Sequence, residues 1–571
     1  MSSWWERYRL WLEHPCFDEP TRAELAALQE NPAEIEDRFY RDLDFGTGGL
    51  RGIIGAGTNR INRYVIRQAA RGLAAYIASF GIEAKRKGVV IAHDSRRCSP
   101  EFAREAALVL AAAGVRAHLW ESLRPTPMLS FAVRELGATA GIVVTASHNP
   151  PEYNGFKVYW SDGGQVPPER AAAIKEQMAL AEITEIALVG EREARAAGLL
   201  FPVPSEVDRA YMDRVLQLVG GPDARRQGCR VLYTPLHGSG HIPVRQVLNE
   251  ARFAVTMVRE QMDPDPAFPT VTAPNPEDPA VFALALAQAE HLQPDVILAT
   301  DPDADRLGVM AREATGAYRL LTGNQIGALL VDFILRRSQD QGTLPDNGAV
   351  LKSIATANMA APICRQHGVT LIDTHTGFKF IGDKIREWEE TGEHSFLFGY
   401  EESYGYLAGS FVRDKDAVMS TLLVAEAAAW HKRRGRTLCE ALEELWFRHG
   451  YYRESLHSLT LPGKDGLEKM AALMRRLREH PPAAFGPAHV AFVDDYLTGL
   501  SRAVGTGAAQ PLALGRADVL HYRFADGGFV MVRPSGTEPK LKAYVAVTGP
   551  SAAEADERLA RVSVAARALL A

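Results

Sequence analysis

Runs of apolar residues end in polar loops at three places along the chain, and each run is flanked by an Ala-rich amphipathic stretch. The strand candidates include "GVVIAHDSRR", "CRVLYTPLHGSG" and "AVLKSIATAN"; the helix candidates include "EFAREAALVLAAAG" and "PAVFALALAQAEH". Strands alternating with helices predict βαβ units and largely parallel sheets. Each region has a second strand running into an unusual loop: "GIVVTASHNP", "DVILATDPDADR" and "FLFGYEESYGY". The pattern predicts a weak threefold repeat of α/β domains, each lending a loop to one site, because such sheets bind ligands beyond strand ends. "DPDPAFPTVTAPNPEDP", residues 263–279, reads as a long irregular loop. Beyond about residue 450 the rhythm changes. "GLEKMAALMRRLREH" predicts an amphipathic helix and "GFVMVRPSGTEPKLKAYVAV" a strand, loop and strand, together a smaller α+β domain.

With 571 residues the chain is too long for one core. A formal net charge of -6 leaves no broad basic field for nucleic acid or an anionic membrane, so an anionic ligand needs local Lys and Arg clusters. Five cysteines, scattered and without a C-x-x-C, suit a reducing compartment rather than a disulfide framework or zinc site. No apolar run approaches about 18 residues, and "MSSWWERYRLWLEHP" is broken by charge. The expectation is a cytoplasmic protein with no membrane partner.

Four loops carry candidate chemistry. In "TASHNPPEYNG" two prolines exclude a helix, so Ser147 sits in a loop after a strand, with His148 adjacent. The acyl-transfer motif G-x-S-x-G is absent. Lys157 follows on the next strand and could serve as acid/base or stabilise phosphate charge. A plain turn serine fits the local sequence as well. In "ATDPDADRLGV", Asp301, Asp303 and Asp305 alternate at the end of a buried strand. Clustered carboxylates repel unless a cation neutralises them, and hard oxygen ligands suit Mg²⁺. Arg306 and Arg312 stand where an EF-hand would need Gly and Glu. In "GYEESYGY", Glu401 and Glu402 are adjacent and should point apart on a strand, whereas Glu401 and Ser403 can face one sugar. In "RPSGTEPKLKAY", Arg533 offers a planar fork, with Ser535, Gly536 and Thr537 forming a potential anion nest; no Walker motif occurs. "FGTGGLRGIIGAG" sets Arg51 among glycines, "DTHTGFK" adds His375 and Lys379, and "HDSRR" and "TPLHG" read as supporting groups.

In order along the chain, "FGTGGLRG", "TASHNP", "DPDADR", "HTGFK", "GYEES" and "RPSGTEP" resemble the α-D-phosphohexomutase superfamily, nearest its bacterial branch of α-phosphoglucomutases, phosphopentomutases and glucose 1,6-bisphosphate synthases. The resemblance implies an α/β fold of four domains around a central cleft, three related α/β domains and a smaller C-terminal α+β domain. Boundaries are expected at 1–208, 209–321, 322–447 and 448–571. It further implies Ser147 as the phosphoserine. Mg²⁺ would be held by Asp301, Asp303, Asp305 and a phosphoserine oxygen. Arg51, His148 and Lys157 would assist proton transfer and charge stabilisation. Arg306, His375, Thr376, Gly377, Lys379, Glu401, Ser403, Arg533, Ser535, Gly536 and Thr537 would bind a sugar phosphate. The implied activity interconverts glucose 1-phosphate and glucose 6-phosphate through glucose 1,6-bisphosphate, which also activates. A phosphopentomutase, phosphomannomutase or bisphosphate synthase would share that mechanism. The rivals are a phosphatase of the haloacid-dehalogenase type, which would not need Ser147, and a non-catalytic sugar-phosphate sensor.

Overall fold

The computed structural model describes residues 3–46, 48–461, 463–535 and 540–570. By its contacts the chain forms two units. The first comprises Met1–Thr322, Ile381–Gly392 and Ser403–Gly435; the second comprises Gly323–Phe380, Glu393–Glu402 and Arg436–Ala571.

The first unit holds two sheets. One contains β1 (Gly49–Ile53), β2 (Val89–His93), β3 (Ala117–Leu119), β4 (Ala140–Val144), β5 (Tyr153–Trp160) and β6 (Leu200–Pro202), in the order β1-β5-β4-β2-β3-β6. The other contains β7 (Arg230–Thr234), β8 (Ala254–Met257), β9 (Val296–Thr300), β10 (Leu307–Arg312) and β11 (Tyr318–Leu321), in the order β11-β10-β9-β7-β8. Strands β2, β4 and β9 are buried along their whole length. That explains their continuous apolar sequences, since a strand covered on both faces gains nothing from alternation. Helices such as Arg63–Ala78 and Ser99–Ala112 lay alanine-rich faces on the first sheet, with Ala69, Leu73, Ala103, Ala107 and Leu110 in its core. Small side chains let helix and sheet approach closely.

Both sheets are mixed: from β4 through β2 and β3 to β6, and from β9 through β7 to β8, the pairs are parallel, as the alternation of strands and helices predicts, but the strands at the other edge run antiparallel. β2 pairs parallel with β3 and β4, but β5 runs antiparallel to both β4 and β1. β9 pairs parallel with β7, but β10 runs antiparallel to β9 and β11. The cause is local: both polar loops after the buried strands turn straight back as hairpins, without the crossover helix that a parallel return needs. "TASHNPPE" and "DPDADR" therefore occupy equivalent hairpin tips in the two sheets.

In the second unit β12 (Gly348–Ser353) lies between parallel neighbours β13 (Thr370–Thr374) and β14 (Ser395–Glu401). The short strand β15 (Gly405–Ala408), which follows in sequence, belongs to the first unit. The C-terminal region builds a separate sheet from β16 (Tyr451–Thr460), β17 (Ala484–Phe485), β18 (Ala488–Asp495), β19 (Leu500–Ala503), β20 (Ala509–Pro511), β21 (Leu520–Phe524), β22 (Phe529–Pro534) and β23 (Lys540–Gly549). Its order is β16-β23-β22-β21-β18-β19-β20, all pairs antiparallel, with β17 beside β18. The expected helix after residue 450 is Gly463–Glu479, and Met470, Met474 and Leu477 pack under the sheet with Val530 and Val545. Among the described residues no helix is long and apolar enough to cross a membrane.

Candidate active site

Ser147 is buried and adopts φ 52, a left-handed conformation that costs a non-glycine residue roughly 1–3 kcal/mol. Two buried side chains hold it there. The Thr145 hydroxyl accepts from Ser147 N at 2.8 Å and donates to Asp94 Oδ2 at 2.6 Å. The Arg96 guanidinium donates to the carbonyls of Ser147 (2.6 Å), Pro150 (2.8 Å) and Tyr153 (3.1 Å), and also to that of Asn149. Asp94 lies 3.4 Å from Arg96 Nε and also accepts from Ser99 Oγ at 2.7 Å. The "HDSRR" segment is thus the frame of the serine loop. β5 continues the frame: an added Cβ at Gly155 would come within 2.5 Å of Thr145 O and 2.7 Å of Leu50 O, so only glycine lets β1 and β4 close around this strand. Arg51, opposite Gly155 on β1, donates to Asn149 Oδ1 at 3.0 Å.

Ser147 Oγ donates to Asp301 Oδ2 at 2.5 Å and lies 3.2 Å from His148 Nδ1. Asp301, Asp303 and Asp305 are all buried and can bring one oxygen each within 4.8 Å of one another. Their second oxygens are spoken for. Asp301 Oδ1 accepts from the amides of Asp305 and Arg306, both at 3.0 Å. Asp303 Oδ2 accepts from Thr126 Oγ1 at 2.8 Å and Lys157 Nζ at 2.6 Å. Asp305 Oδ2 lies 3.2 Å from Lys157 Nζ and 3.1 Å from Lys415 Nζ. Asp303 Oδ1 and Asp305 Oδ1 are buried with no hydrogen-bond donor among the described residues. Buried carboxylate oxygens left without a donor fit a hard divalent cation.

The electrostatics agree. Burial and the neighbouring Asp303 and Asp305 charges push the Asp301 carboxyl well above its ordinary range. Burial also acts upward on Asp305, but Lys157, Lys415 and Arg306 override it and hold that carboxyl well below the usual range. Burial alone would lower the Lys157 ammonium; Asp303 and Asp305 outweigh it, so Lys157 stays charged. A cation would give Asp301 the compensation its two neighbours already have.

Lys415, Thr126 and Asn149 were not singled out from the sequence. Lys415 lies in "VRDKDAV", where Asp414 accepts from Tyr159 OH at 2.6 Å and Ala417 N donates to Ala304 O at 3.0 Å. A single lysine between two aspartates carries no spacing signal. Thr126 lies in "RPTP", where it opens the helix Thr126–Glu135 and carries no spacing signal.

In the second unit Glu401, the last residue of β14, and Glu402, the first beyond it, reach different partners. Glu401 Oε1 accepts from Gly377 N at 2.6 Å, whereas Glu402 Oε2 accepts from Ser353 Oγ at 2.8 Å. His375 Nε2 donates to Gly515 O at 2.6 Å, which leaves Nδ1 as the acceptor of the neutral ring; burial lowers its pKa. Thr376 Oγ1 is buried without a hydrogen-bond partner among the described residues. Lys379 sits in the first turn of the helix Phe378–Thr391, its Nζ 5.2 Å from the Phe380 ring centre. Arg533 ends β22 and donates to Tyr544 OH at 3.3 Å; burial lowers its pKa, but Tyr544, Glu402 and Glu401 together raise it. Ser535 N donates to Lys540 O at 2.7 Å. Gly536 and Thr537 lie outside the described residues. Ser403, two residues beyond the end of β14, is half-buried and belongs to the first unit.

The chain matches four sequence families in succession: "Phosphoglucomutase/phosphomannomutase, alpha/beta/alpha domain I" over residues 42–184, domain II over 209–316, domain III over 322–449, and the C-terminal domain over 488–563. The chain belongs to the phosphoglucomutase/phosphomannomutase family. It is 37% identical over 514 residues to a phosphoglucomutase of Staphylococcus haemolyticus (strain JCSC1435), covering 90% of this chain and 91% of that protein. It is 36% identical over 529 residues to a phosphoglucomutase of Staphylococcus aureus (strain USA300), covering 91% and 93%. Among solved structures, a phosphoglucomutase/phosphomannomutase family protein of Burkholderia thailandensis aligns with TM-score 0.66 at 20% identity, over 92% of this chain and 97% of that one. The phosphoprotein pp63/parafusin of Paramecium aligns with TM-score 0.65 at 17% identity, over 92% and 96%. At those identities the two structures speak for the fold. The fold is accordingly three α/β domains and a distinct C-terminal domain, and the chain is a phosphosugar mutase.

Proposed function

We propose that this mutase interconverts glucose 1-phosphate and glucose 6-phosphate, with Ser147 carrying the transferred phosphoryl group and glucose 1,6-bisphosphate as intermediate and activator. The observation that carries the reading is Ser147 Oγ, strained, buried and 2.5 Å from one of three clustered aspartates. A phosphatase built on the aspartates alone would have no use for a serine held this way. The glucose assignment rests on the staphylococcal relatives' names and on the "GYEES" loop.

In the first half-reaction a sugar hydroxyl attacks the phosphorus on Ser147; the bond to Oγ breaks as the bond to the sugar oxygen forms, the hydroxyl proton leaves the sugar and Oγ regains one. In the second, Ser147 Oγ gives up its proton and attacks the other phosphorus of the bisphosphate; that bond to the sugar oxygen breaks, the sugar oxygen takes a proton, and the phosphoserine is restored. The ring nitrogen of His148, 3.2 Å away, is placed to exchange a proton with Oγ. Lys157, held charged, supplies positive potential to the phosphoryl oxygens rather than accepting a proton. Arg51, tied to the serine loop through Asn149, adds a second cation. Asp301, Asp303 and Asp305 would hold Mg²⁺ with a phosphoserine oxygen, and the ion would neutralise charge during transfer. Glu401 and Ser403 would hold sugar hydroxyls. Arg306, His375, Thr376, Gly377, Lys379, Arg533, Ser535, Gly536 and Thr537 would hold the sugar phosphate, including the phosphate not reacting.

Phosphorus NMR tests the reading. Protein with Mg²⁺, a trace of glucose 1,6-bisphosphate and equal glucose 1-, mannose 1- and ribose 1-phosphates should convert the glucose signal first, to glucose 6-phosphate, without inorganic phosphate. Earlier loss of the mannose or ribose signal would refute the glucose assignment. Inorganic phosphate as the product, or full activity in Ser147→Ala, would refute the phosphoserine mechanism.

A further inference from the structure

The Pro-rich segment 263–279 has no part in the chemistry above, yet it is anchored firmly. His237 bonds to Asp263 O at 3.0 Å and to Thr270 Oγ1 at 2.9 Å, and Gln261 Nε2 donates to the same hydroxyl at 3.2 Å. Phe268 is fully buried, and its ring centre lies 5.0 Å from Cζ of Arg96, the residue that frames Ser147. At the far end an Asx turn fixes Glu277: its amide donates to Asn275 Oδ1 at 3.2 Å, and Asp278 N donates to Asn275 O at 3.0 Å. Pro276 O sits where a Cβ on Gly308 would fall, 2.4 Å away, so the segment lies directly on β10. All of this delivers one charged group. Glu277 Oε1 accepts from Arg306 Nη1 at 2.6 Å.

Arg306 immediately follows the aspartate cluster, its Nε 3.9 Å from Asp305 Oδ1. Both ends of the pair stand on fixed backbone, and both side chains keep some solvent access, 19% for Arg306 and 27% for Glu277. The pair is preorganised but open to exchange.

We propose that Glu277 is a resident counter-anion for Arg306, a competitor that the phosphate of a sugar bisphosphate displaces on binding and that takes the guanidinium back when the phosphate leaves. The proposal rests on the reading of Arg306 as a phosphate ligand. Its physical sense lies in the two orientations a bisphosphate must adopt. Releasing a phosphate from a partly buried guanidinium would leave a cation unpaired, which is costly. An anion already in place turns release into exchange and weakens holding by the same amount.

Calorimetric titration of glucose 1,6-bisphosphate into Ser147→Ala protein with Mg²⁺, which cannot turn over, tests this. Adding Glu277→Gln should tighten the dissociation constant about fivefold, the worth of a partly exposed ion pair. Glu277→Asp, which keeps the charge, should stay near the parent. Arg306→Met should weaken binding, and in that background Glu277→Gln should change nothing. A generally loosened loop would weaken binding instead, so the sign separates competition from support. Unchanged or weaker binding in Glu277→Gln, with Arg306→Met weakened, overturns the proposal and leaves the phosphate reading of Arg306 intact. Unchanged binding in Arg306→Met overturns both.

Discussion

Replacing Arg96 by Lys should separate stability from activity. Arg96 donates to four carbonyls of the serine loop, those of Ser147, Asn149, Pro150 and Tyr153. An ammonium keeps the charge opposite Asp94 but cannot span four acceptors from one rigid plane. Losing two charge-assisted hydrogen bonds removes about 3–6 kcal/mol of local restraint. The left-handed Ser147 conformation, φ 52, stores roughly 1–3 kcal/mol. The lost restraint exceeds the stored strain, so the loop should relax and carry Oγ off its position. A misplacement of about 1 Å can cost about 100-fold in rate. Global stability should fall less than the local figure, by roughly 2–3 kcal/mol, because water and the ammonium recover part of the bonding. The assay is kcat by phosphorus NMR alongside urea melts. A variant that keeps kcat within about threefold of the parent, whatever its melt, would refute the claim that Arg96 holds the serine in a strained conformation.

Thr126→Val should weaken Mn²⁺ binding about 10- to 100-fold by electron paramagnetic resonance, since the hydroxyl fixes one oxygen of Asp303, and Thr126→Ser should restore it; equal affinities would contradict that role. Gly155→Ala should destabilise by about 1–3 kcal/mol in urea melts, because the new methyl meets Thr145 O and Leu50 O; an unchanged midpoint would contradict the close strand packing. Asp416 is fully buried between Tyr211 OH and the helix Ala417–Lys432 that it caps, and burial pushes its carboxyl up to about 7. A folded pKa above the unfolded value means stability is complete below about pH 4 and is lost as pH rises through 7, by about 4 kcal/mol at most. Asp416→Asn should therefore gain stability relative to the parent between pH 4 and 7 and hold the gain above; parallel melts across that range would refute it.

The sequence announced this site where the chemistry is dense and concealed it where the chemistry is distributed. "DPDADR" shows three acids at the end of a buried strand, and the structure gathers them at that place. Glu401 and Glu402, at and just beyond the end of β14, reach different partners, as the alternation along a strand leads one to expect at its end. Lys415 reaches Asp305 from more than a hundred residues away in sequence, through a loop pinned by Tyr159 and Ala304. Nothing local marks it, because its position follows from tertiary packing. The antiparallel return of β5 and β10 is hidden for a related reason. Periodicity identifies a strand and its burial, but whether the next strand returns as a hairpin depends on a loop too short for a helix.

That hairpin geometry also explains how the site is assembled. β4 leads into the serine loop and β5 returns with Lys157; β9 leads into the aspartate loop and β10 returns immediately after Arg306. A loop fixed by antiparallel strands at both ends has few conformations, so the local strain at Ser147 can be borne without a rigid helix nearby. It also makes the return strand part of the site. Lys157 is in register with Val143 on β4 and Gly49 on β1, so a slip of one residue in β5 would turn its ammonium to the opposite face and strip Asp303 and Asp305 of their shared cation. The side chains that do the chemistry and the pairing that fixes the strand are therefore under one constraint. Substitutions such as Gly155→Ala, which add nothing to the reacting groups themselves, should act on rate through register as well as on stability.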